Sequence, residues 1–406
     1  MAFSLFSFIP DEQRGDLMTE SGAIPIAGRA AECPFDPVPE LYEAQKDEEL
    51  RRVTVPSPML GEFDAVVLAR YDDVKSVLAD GGLHMGGSMP YQAGNLLSYD
   101  GPEHTRLRRM LTGSFTARRA RELKPQIEGA VEAALDAVEK AGPGADLVQL
   151  FCAPIPTQVI CELLGVPYSD REEFQRRTQV ALDFDISREE QMRQAAEMEA
   201  YMAELVAQHR EAPGDNVLGR VVRDFGDQLT DTELAGIGNM LLIAGHETIA
   251  STLSAAIALL LRHPDQLAVV RDDPSATEGA VEELLRICAP ATILPRQAAG
   301  NICVRDREIE EGERVVASVL AANRDLGSHD ENLDRLDVRR PPQRHLTFGF
   351  GPHQCLGQQL ARVELRVALP ALFNRFPTLG LTVPHEELDY RTNALVFGVD
   401  SLPVTW

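Results

Sequence analysis

A long, almost uninterrupted apolar segment between Thr230 and Pro264 limits the fold more than any other feature of the sequence. Thr230-Asp-Thr-Glu233 has the pattern of a capping box, in which a hydroxyl and a carboxylate bind backbone N–H groups at a helix start. Leu234 to Arg262 is then apolar on nearly every side, and His263-Pro264 ends the run. At 1.5 Å per residue this predicts a buried helix roughly 45 Å long. Such a helix crosses a whole domain, so the chain needs a large helical core around it.

The rest of the sequence predicts one mainly α-helical domain with two small β-sheets. β-Branched and apolar runs between Val53 and Leu68 favour a first sheet, and Ile302 to Val319 favours a second one, with a turn at Glu311-Gly312. No repeat and no long linker divides the chain, so we expect a single domain over all 406 residues. Residues 1–30 are loop-like and are predicted to form an N-terminal arm.

Charge and cysteine usage exclude several classes of function. The chain has 39 basic and 63 acidic residues and a net charge of −24, which repels nucleic acid and anionic membranes. The apolar start Met1–Pro10 lacks a basic flank and is shorter than the ~20 residues of a membrane span. The six cysteines show no C-x-x-C spacing, as expected of a reduced protein without zinc clusters. We therefore expect a cytoplasmic monomer.

The segment Phe348-Gly-Phe-Gly351-Pro-His353-Gln-Cys355-Leu-Gly357 places a thiol just ahead of a helix. Unpaired N–H groups and the positive helix end favour a thiolate there, and a thiolate binds soft metals. Gly351 and Gly357 leave room for a flat, bulky group beside the backbone. The alternative is a buried structural cysteine in an ordinary glycine-containing loop.

A second polar feature, Ala244-Gly-His-Glu247-Thr248, interrupts the apolar helix in its middle. Burying such groups costs free energy unless they have partners or a function. A threonine can donate its hydroxyl to the carbonyl four residues back and open the helix locally, which admits water or dioxygen. The alternative is a helix kink with His246 and Glu247 facing the surface.

These motifs resemble those of the cytochrome P450 haem-thiolate monooxygenases. From about residue 30 to the C-terminus they follow that family's order: His104-x-x-x-Arg108, the helix motif at Ala244, Glu283-x-x-Arg286, Ala321 to Asp325, and the cysteine loop. The resemblance implies the mainly α P450 fold, with haem between the long central helix and the cysteine-bearing helix. It implies that Cys355 is the axial iron ligand and that Glu247 and Thr248 relay protons when dioxygen is activated.

Further residues are carried over from the resemblance. It implies that haem b contacts His104, Arg108, Ala244, Arg296, His345, Phe348, Gly349, His353, Cys355 and Gly357, in which the cationic and hydrogen-bonding members hold the propionates. It also implies a structural lock in which Glu283 and Arg286 meet Arg335 from the loop ahead of the cysteine. For any single cationic residue, ordinary surface exposure is the alternative.

The resemblance also implies a largely apolar substrate pocket. Its predicted walls are Met85, Met89, Leu96, Leu97, Val180, Phe184, Ile243, Thr292, Ile293, Leu294, Leu395, Val396 and Phe397. The likeness to actinobacterial secondary-metabolism enzymes favours a polyketide or macrolide substrate, and a steroid or terpenoid is the second choice. Hydroxylation is the expected reaction, while epoxidation and ring formation need the same residues and remain open.

Electrons are expected to come from NAD(P)H through a separate ferredoxin and ferredoxin reductase, because the haem domain uses the whole chain. Between Arg106 and Lys124 there are seven basic residues and one acidic residue. Arg109, Arg118 and Arg119 are therefore predicted to dock an acidic ferredoxin. A solvated basic helix is the alternative.

Three other functions stay open on the sequence alone. A peroxide-using or nitric-oxide-reducing haem-thiolate enzyme shares the cysteine loop. A non-catalytic family relative could act as a structural partner, although such proteins can lose the ligand cysteine that this chain retains. A zinc-binding or redox-sensing role would need clustered cysteine ligands, which the sequence lacks.

Overall fold

In a computed structural model of the chain, the long apolar segment forms one continuous helix, Asp231–Arg262. The predicted capping box is confirmed: Thr230 Oγ1 accepts from Glu233 N at 3.1 Å, and Glu233 Oε2 accepts from Thr230 N at 2.9 Å. The helix ends at His263, which precedes Pro264. We call it the central helix.

The structure describes residues 29–30, 32–57, 61–85, 91–171, 174, 188–325, 332–341, 344–392 and 396–406. The predicted N-terminal arm lies outside this part, except for residues 29 and 30. The α-helices are α1 (Pro39–Lys46), α2 (Tyr71–Ala79), α3 (Gly101–Thr112), α4 (Ala117–Glu122), α5 (Lys124–Ala141), α6 (Pro154–Leu164), α7 (Arg188–Glu211), α8 (Val217–Phe225), α9 (the central helix), α10 (Pro264–Asp272), α11 (Thr277–Cys288), α12 (Val319–Ala322) and α13 (Gln358–Arg375, the cysteine helix). The strands are β1 (Arg51–Ser57), β2 (Gly61–Leu68), β3 (Leu83–His84), β4 (Ala145–Asp146), β5 (Ile293–Ala298), β6 (Ile302–Val304), β7 (Arg307–Ile309), β8 (Arg314–Ser318), β9 (Gly380–Leu381) and β10 (Pro403–Thr405).

The main sheet joins distant parts of the chain in the order β1-β2-β8-β5-β3. β1 and β2 form the hairpin predicted between Val53 and Leu68, and β8 pairs in parallel with β2 and antiparallel with β5. Side chains of β2 alternate between two apolar clusters, with Val66 on one face and Val67 on the other. Both faces of this sheet are therefore covered.

The second predicted sheet is wrong in its pairing. Ile302–Val304 pairs with Arg307–Ile309 in a separate two-stranded sheet, whereas Arg314–Ser318 belongs to the main sheet. The short hairpin turns at Arg305-Asp306, whose φ angles of 51° and 60° suit the twist of a two-residue turn. Glu311-Gly312 is a turn as predicted, but it joins strands of two different sheets.

The central helix is the axis of the largest apolar cluster, where it contacts α6, α7, α10, α11 and the cysteine helix. Leu253, Ile257 and Leu260 are fully buried in it. In the described part of the chain it is also the one helix long and apolar enough to cross a membrane, and 78% of its most apolar stretch is buried within the protein. Its apolar surface is thus explained by the core.

Candidate functional site

The cysteine loop is a tight turn that ends at the cysteine helix. Gly351–His353 forms one turn of 3₁₀ helix, and the backbone N–H of Cys355 donates to the carbonyl of Phe348 at 2.7 Å. Gly357 is the N-cap of the cysteine helix. These contacts hold the Cys355 thiol just ahead of the helix start, as the sequence predicts.

The Cys355 side chain is accessible to solvent, yet it is strongly desolvated by the surrounding protein. Burial raises the pKa of the thiol, although the N–H groups of Gly357 and Gln358 and the guanidinium groups of Arg108 and Arg362 act in the opposite direction. A residue that is both accessible and desolvated lines an internal cavity. The helix start was expected to favour the thiolate, but desolvation outweighs it and raises the pKa of the thiol.

The two glycines that flank the cysteine serve different purposes. Gly351 has a φ of +72°, and a Cβ there would lie 2.3 Å from the carbonyl oxygen of Leu78. Gly351 therefore allows the loop to pack on the end of α2, contrary to the expectation that it leaves room for a ligand. A Cβ at Gly357 would meet nothing within 4 Å. Open space lies beside Gly357, where a flat group is expected.

The central helix also has an open side at the predicted motif. Ala244 is exposed and Ile243 and Thr248 are half-buried, although Leu242 and Ile249 next to them are buried. Thr248 Oγ1 donates to the Ala244 carbonyl at 2.6 Å, which is the predicted back bond, and the helix stays continuous through it. An exposed alanine within a core helix marks a cavity wall.

His246 and Glu247 are both buried, which contradicts the alternative that they face the surface. Burial lowers the pKa of His246 to about 4, so its ring is neutral at physiological pH. Burial raises the pKa of Glu247, while Arg391 opposes this shift with Nη1 at 3.3 Å from Glu247 Oε1. The second oxygen, Oε2, has no hydrogen-bond partner among the described residues. Glu247 is thus an ionisable group with one free oxygen inside the core.

Cationic and histidine side chains meet near the cysteine loop. Arg296 on β5 is buried, and burial lowers its pKa to about 10. Arg108 on α3 donates Nη2 to the Gln354 carbonyl at 2.6 Å, immediately before the cysteine. His104 and His353 have ring centroids 4.1 Å apart. The structure therefore brings together four predicted propionate contacts from three separate segments.

Within this cluster, His104 Nε2 is buried without a hydrogen-bond partner in the described residues. Burial, aided by His353 and Arg108, lowers the pKa of His104 to about 4. His353 Nε2 lies 2.9 Å from Asp100 Oδ1, which also accepts from the N–H of Met85. A buried imidazole nitrogen with no partner in the described residues, close to the guanidinium of Arg108, suits an anion such as a carboxylate. Asp100 was not predicted, because its sequence position marks it only as a helix N-cap.

His345 does not join this cluster, and its prediction as a cofactor contact is wrong. Its Nε2 lies 3.2 Å from Glu282 Oε2, and its Nδ1 accepts from the N–H of Thr347 at 3.3 Å. Glu282 also receives two hydrogen bonds from Arg362. Although burial raises the pKa of Glu282, the bonds from His345 and Arg362 outweigh it and lower the pKa to about 2. Both nitrogens of His345 are thus used in hydrogen bonds within the protein.

Phe348 and Gly349 lie at the start of the cysteine loop, as expected. The guanidinium of Arg362 sits 4.4 Å from the centroid of the Phe348 ring. Gly349 has a φ of +67°, and a Cβ there would lie 3.7 Å from the side chain of Leu294. The loop is therefore held between the cysteine helix and strand β5.

The predicted lock forms with a different arginine. Arg286 binds Glu283 through two hydrogen bonds of 2.8 and 2.9 Å, both groups being buried. The third member is Arg340, whose Nε lies 3.3 Å from Glu283 Oε1. Arg335, which the sequence favoured, is exposed and offers its backbone carbonyl to Arg286 and Arg340. The choice of Arg335 is therefore wrong, because the chain turns back and brings Arg340 to Glu283.

Arg340→Ala should lower the free energy of unfolding by about 3 kcal/mol, because it leaves the buried Glu283 carboxylate with less compensation. The matched control is Arg335→Ala, which removes an exposed side chain five residues earlier and should change stability by less than about 0.5 kcal/mol. Urea unfolding of the two variants compares them directly. Equal losses would contradict the assignment of the lock to Arg340.

The predicted pocket residues fall into three groups. Met85, Leu96, Thr292, Ile293 and Val396 are buried, and Leu97, Ile243 and Leu294 are half-buried. Met89, Val180, Phe184 and Leu395 lie outside the described residues. Phe397 is fully buried in the core, where its ring packs on Phe35 and Tyr390.

The loop before α3 packs closely on the central helix. A Cβ at Gly94 would lie 2.0 Å from the Glu233 carbonyl oxygen, and one at Gly236 would lie 1.7 Å from that of Ala93. The N–H of Leu96 lies 3.3 Å from the sulfur of Met240. These contacts hold Leu96 against the central helix. Leu96 is one of the residues predicted to line the substrate pocket.

The predicted docking arginines lie on α3 and α4. Arg109 and Arg118 are exposed and Arg119 is half-buried. Glu122 accepts from Arg118 at 2.9 Å and from Arg119 at 2.6 Å, and hydrogen bonds from both lower its pKa. Exposed pairs of this kind are weak, so these arginines remain available to another carboxylate.

Known proteins of one family match this chain over most of its length. The family model described as "Cytochrome P450" matches residues 178–389. Mycinamicin IV hydroxylase/epoxidase of Micromonospora griseorubida is 39% identical over 378 residues, which cover 90% of this chain and 94% of the relative. Vitamin D3 dihydroxylase of Streptomyces griseolus is 43% identical over 317 residues, 76% of this chain and 77% of the relative. The crystal structure of CYP105P1 in complex with filipin I is 36% identical, covers 95% of this chain and 99% of that one, and has a TM-score of 0.86.

Proposed function

This chain belongs to the cytochrome P450 family of haem-thiolate monooxygenases, and we propose that it hydroxylates a polyketide or macrolide in secondary metabolism. The observation that carries the proposal is the accessible but desolvated Cys355 thiol at a helix start, ahead of open space at Gly357. We further propose one cytoplasmic, monomeric domain over the whole chain.

The residues around Cys355 fit haem b. The Cys355 thiolate would bind the haem iron, whose positive charge would offset the desolvation that raises the pKa of the thiol. Arg108, Arg296 and the free Nε2 of His104 would hold the propionates. When bound, haem supplies the iron that activates dioxygen for insertion into an unactivated C–H bond.

Glu247 and Thr248 would deliver the protons that this reaction consumes. The Thr248 hydroxyl sits on the open side of the central helix and can donate a hydrogen bond into the cavity when it leaves the Ala244 carbonyl. The Glu247 carboxylate has one oxygen without a partner in the described residues, and burial raises its pKa, so it takes up a proton more readily than an exposed glutamate does. The two residues would form a short path to the reaction site.

The choice of substrate rests on relatives and on the apolar lining. Mycinamicin IV hydroxylase/epoxidase and the filipin I complex of CYP105P1 both point to macrolides. Vitamin D3 dihydroxylase favours a steroid-like substrate as the second candidate. The predicted walls Met85, Leu96 and Leu294 are apolar and suit either class.

A panel of macrolides, linear polyketides, secosteroids and terpenoids tests this choice. Binding is followed by the haem absorption shift as the ligand displaces water, and the products are identified by mass spectrometry. Macrolides or polyketides should bind most tightly and give products one oxygen atom heavier. If only secosteroids are turned over, a steroid-like substrate replaces the polyketide or macrolide as the proposed substrate.

We propose that electrons arrive from NAD(P)H through a ferredoxin and its reductase. The basic surface of Arg109, Arg118 and Arg119 supports an acidic donor. The peroxide-using and nitric-oxide-reducing alternatives predict different requirements: hydrogen peroxide alone, or NAD(P)H without a ferredoxin. Measuring NAD(P)H oxidation with and without ferredoxin separates these three functions.

Reversing charge at Arg109, Arg118 and Arg119 should slow reduction by ferredoxin by about tenfold at low salt, because these side chains steer the acidic donor. The effect should shrink as ionic strength rises past about 0.1 M, where the screening length is about 10 Å. Arg52→Glu is the matched control, since Arg52 lies on strand β1, away from α3 and α4, and is exposed and paired with a glutamate, Glu313. Stopped-flow measurements give these reduction rates. If charge reversal does not change the rate at low salt, the three arginines form only a solvated face.

A further inference from the structure

Arg391 reaches the central helix from the C-terminal part of the chain. Its backbone N–H donates to the Gly398 carbonyl at 3.0 Å, and the neighbouring Tyr390 pairs with Val399. From this paired segment the guanidinium of Arg391 extends to Glu247 Oε1 at 3.3 Å and donates Nη2 to Ser251 Oγ at 2.8 Å. Two of its nitrogens thus bind one face of the central helix, one turn apart.

The third side of the guanidinium faces Asp400. Arg391 Nε lies 3.1 Å from Asp400 Oδ1, and the Asp400 side chain is 52% exposed. The exposed fraction of the side chain falls to 18% at Arg391 and to 8% at Glu247. One guanidinium therefore lies between a carboxylate in solvent and a carboxylate in the core.

Gly398 makes room for this arrangement. A Cβ at Gly398 would lie 2.5 Å from Arg391 Nη2 and 2.9 Å from the Cβ of Ser251. Arg391 can therefore pass to the central helix only because residue 398 has no side chain. The backbone at Gly398 and the guanidinium of Arg391 are therefore in close contact.

The Glu247 carboxylate is not fully held by this contact. Its Oε2 has no hydrogen-bond partner in the described residues, and Arg391 is the charged group that acts on it there. Its sequence neighbour Thr248 faces the cavity, whereas its neighbour His246 is buried and neutral. A carboxylate with one anchored and one free oxygen is able to turn when its anchor leaves.

We propose that Arg391 is a positioning residue that controls the access of Glu247 to solvent. While its Nη1 binds Glu247, the carboxylate is held ionised and away from Thr248. When the guanidinium shifts fully to Asp400, water reaches Glu247, which takes up a proton and passes it towards Thr248 and the reaction site. No bond other than O–H bonds is made or broken, and each proton comes from solvent. The inference rests on the proton-delivery role proposed above for Glu247.

The first test removes the charge of Arg391. In Arg391→Gln, the Glu247 carboxyl loses its cation, so its protonation midpoint should move to higher pH. Infrared difference spectra should show a protonated carboxylic stretch at neutral pH that disappears in the double variant with Glu247→Gln. Product formed per NADH should fall by about tenfold, because a Glu247 carboxyl that stays protonated at neutral pH no longer alternates between taking up and giving up a proton. Arg391→Lys keeps the positive charge. It should therefore show little of the protonated carboxyl band and most of the product formed per NADH by the unchanged protein.

The second test leaves the buried pair intact. Asp400→Asn removes the surface partner, so Arg391 should remain on Glu247; the carboxyl should stay ionised and the solvent isotope effect on turnover should increase about twofold. The matched control is Ser251→Ala, which removes the other Arg391 contact without changing any charge, and should leave both the infrared signal and the isotope effect near those of the unchanged protein. Because Asp400 is half exposed, its variant should fold even if Arg391→Gln does not.

The outcomes separate this inference from the proposed function. Suppose that the unchanged protein shows the haem-thiolate spectrum and Glu247→Gln slows turnover. If Arg391→Gln and Asp400→Asn then change neither the carboxyl signal nor the isotope effect, Arg391 only fastens its own segment to the central helix and the inference is overturned. If Glu247→Gln itself has no effect, the proposed proton path fails instead.

Discussion

Cys355→Ser is expected to abolish both the haem-thiolate spectrum and turnover. A serine hydroxyl is not ionised in this site, because the burial that already raises the pKa of the thiol would oppose an alkoxide far more. The soft ligand that favours O–O cleavage is therefore lost. The fold should persist, since the loop is held by the backbone bond between Cys355 and Phe348, which the substitution keeps. Absorption spectra of the reduced, CO-bound variant and product formation measure the two losses.

Cys303→Ser is the matched control. Cys303, on strand β6, is the other cysteine whose side chain is exposed in the described residues, so both substitutions replace an accessible thiol by a hydroxyl. The haem-thiolate spectrum and the turnover of Cys303→Ser should not change. A normal thiolate spectrum in Cys355→Ser would contradict the assignment of the ligand.

Thr248→Ala is expected to uncouple NADH consumption from product formation. The variant removes the hydroxyl on the open side of the central helix but leaves the packing of the methyl position. Protons then reach the reaction site less effectively, so reduced oxygen leaves as hydrogen peroxide. Product per NADH should fall by about tenfold, with peroxide making up the shortfall and substrate dissociation constants near normal.

Thr252→Ala is the control that the helix itself offers. Thr252 Oγ1 donates to the Thr248 carbonyl at 2.6 Å, the same back bond at the same length, but Thr252 is buried. Both variants lose one identical intrahelical bond, so a merely structural effect should appear in both. Full coupling in Thr248→Ala, or equal uncoupling in the two variants, would remove Thr248 from the proton path.

Features encoded by local sequence were predicted well. The capping box, the ends of the central helix and the threonine back bond each depend on residues within one or two turns, so the spacing alone determines them. The position of Cys355 ahead of a helix is likewise local. The cytochrome P450 family follows from the order of these motifs and is confirmed by the comparisons.

Contacts between distant segments were predicted less well. Arg335 and Arg340 are close together in sequence, so the sequence does not show which of them meets Glu283. The way the chain folds back after Leu333 brings Arg340 there. The contact of His345 with Glu282 was missed, because Glu282 lies on α11, 63 residues earlier in the chain, and nothing near His345 in sequence points to it. The pairing of β8 with β2 rather than β6 is set by packing on both faces of the main sheet.

Arg391 shows the same limitation at the site itself. Nothing near it in sequence marks it as functional, and its partners Glu247 and Ser251 are about 140 residues away. The raised pKa of the Cys355 thiol was also missed, because desolvation depends on the whole surrounding fold and the helix start is only one contribution.

The absorption spectrum of the unchanged protein, purified with its haem, reduced and exposed to carbon monoxide, tests the central claim most directly. Thiolate ligation by Cys355 predicts the long-wavelength Soret band that distinguishes haem-thiolate proteins from those with a histidine ligand. A spectrum typical of histidine or thiol ligation in the correctly folded protein would contradict the account.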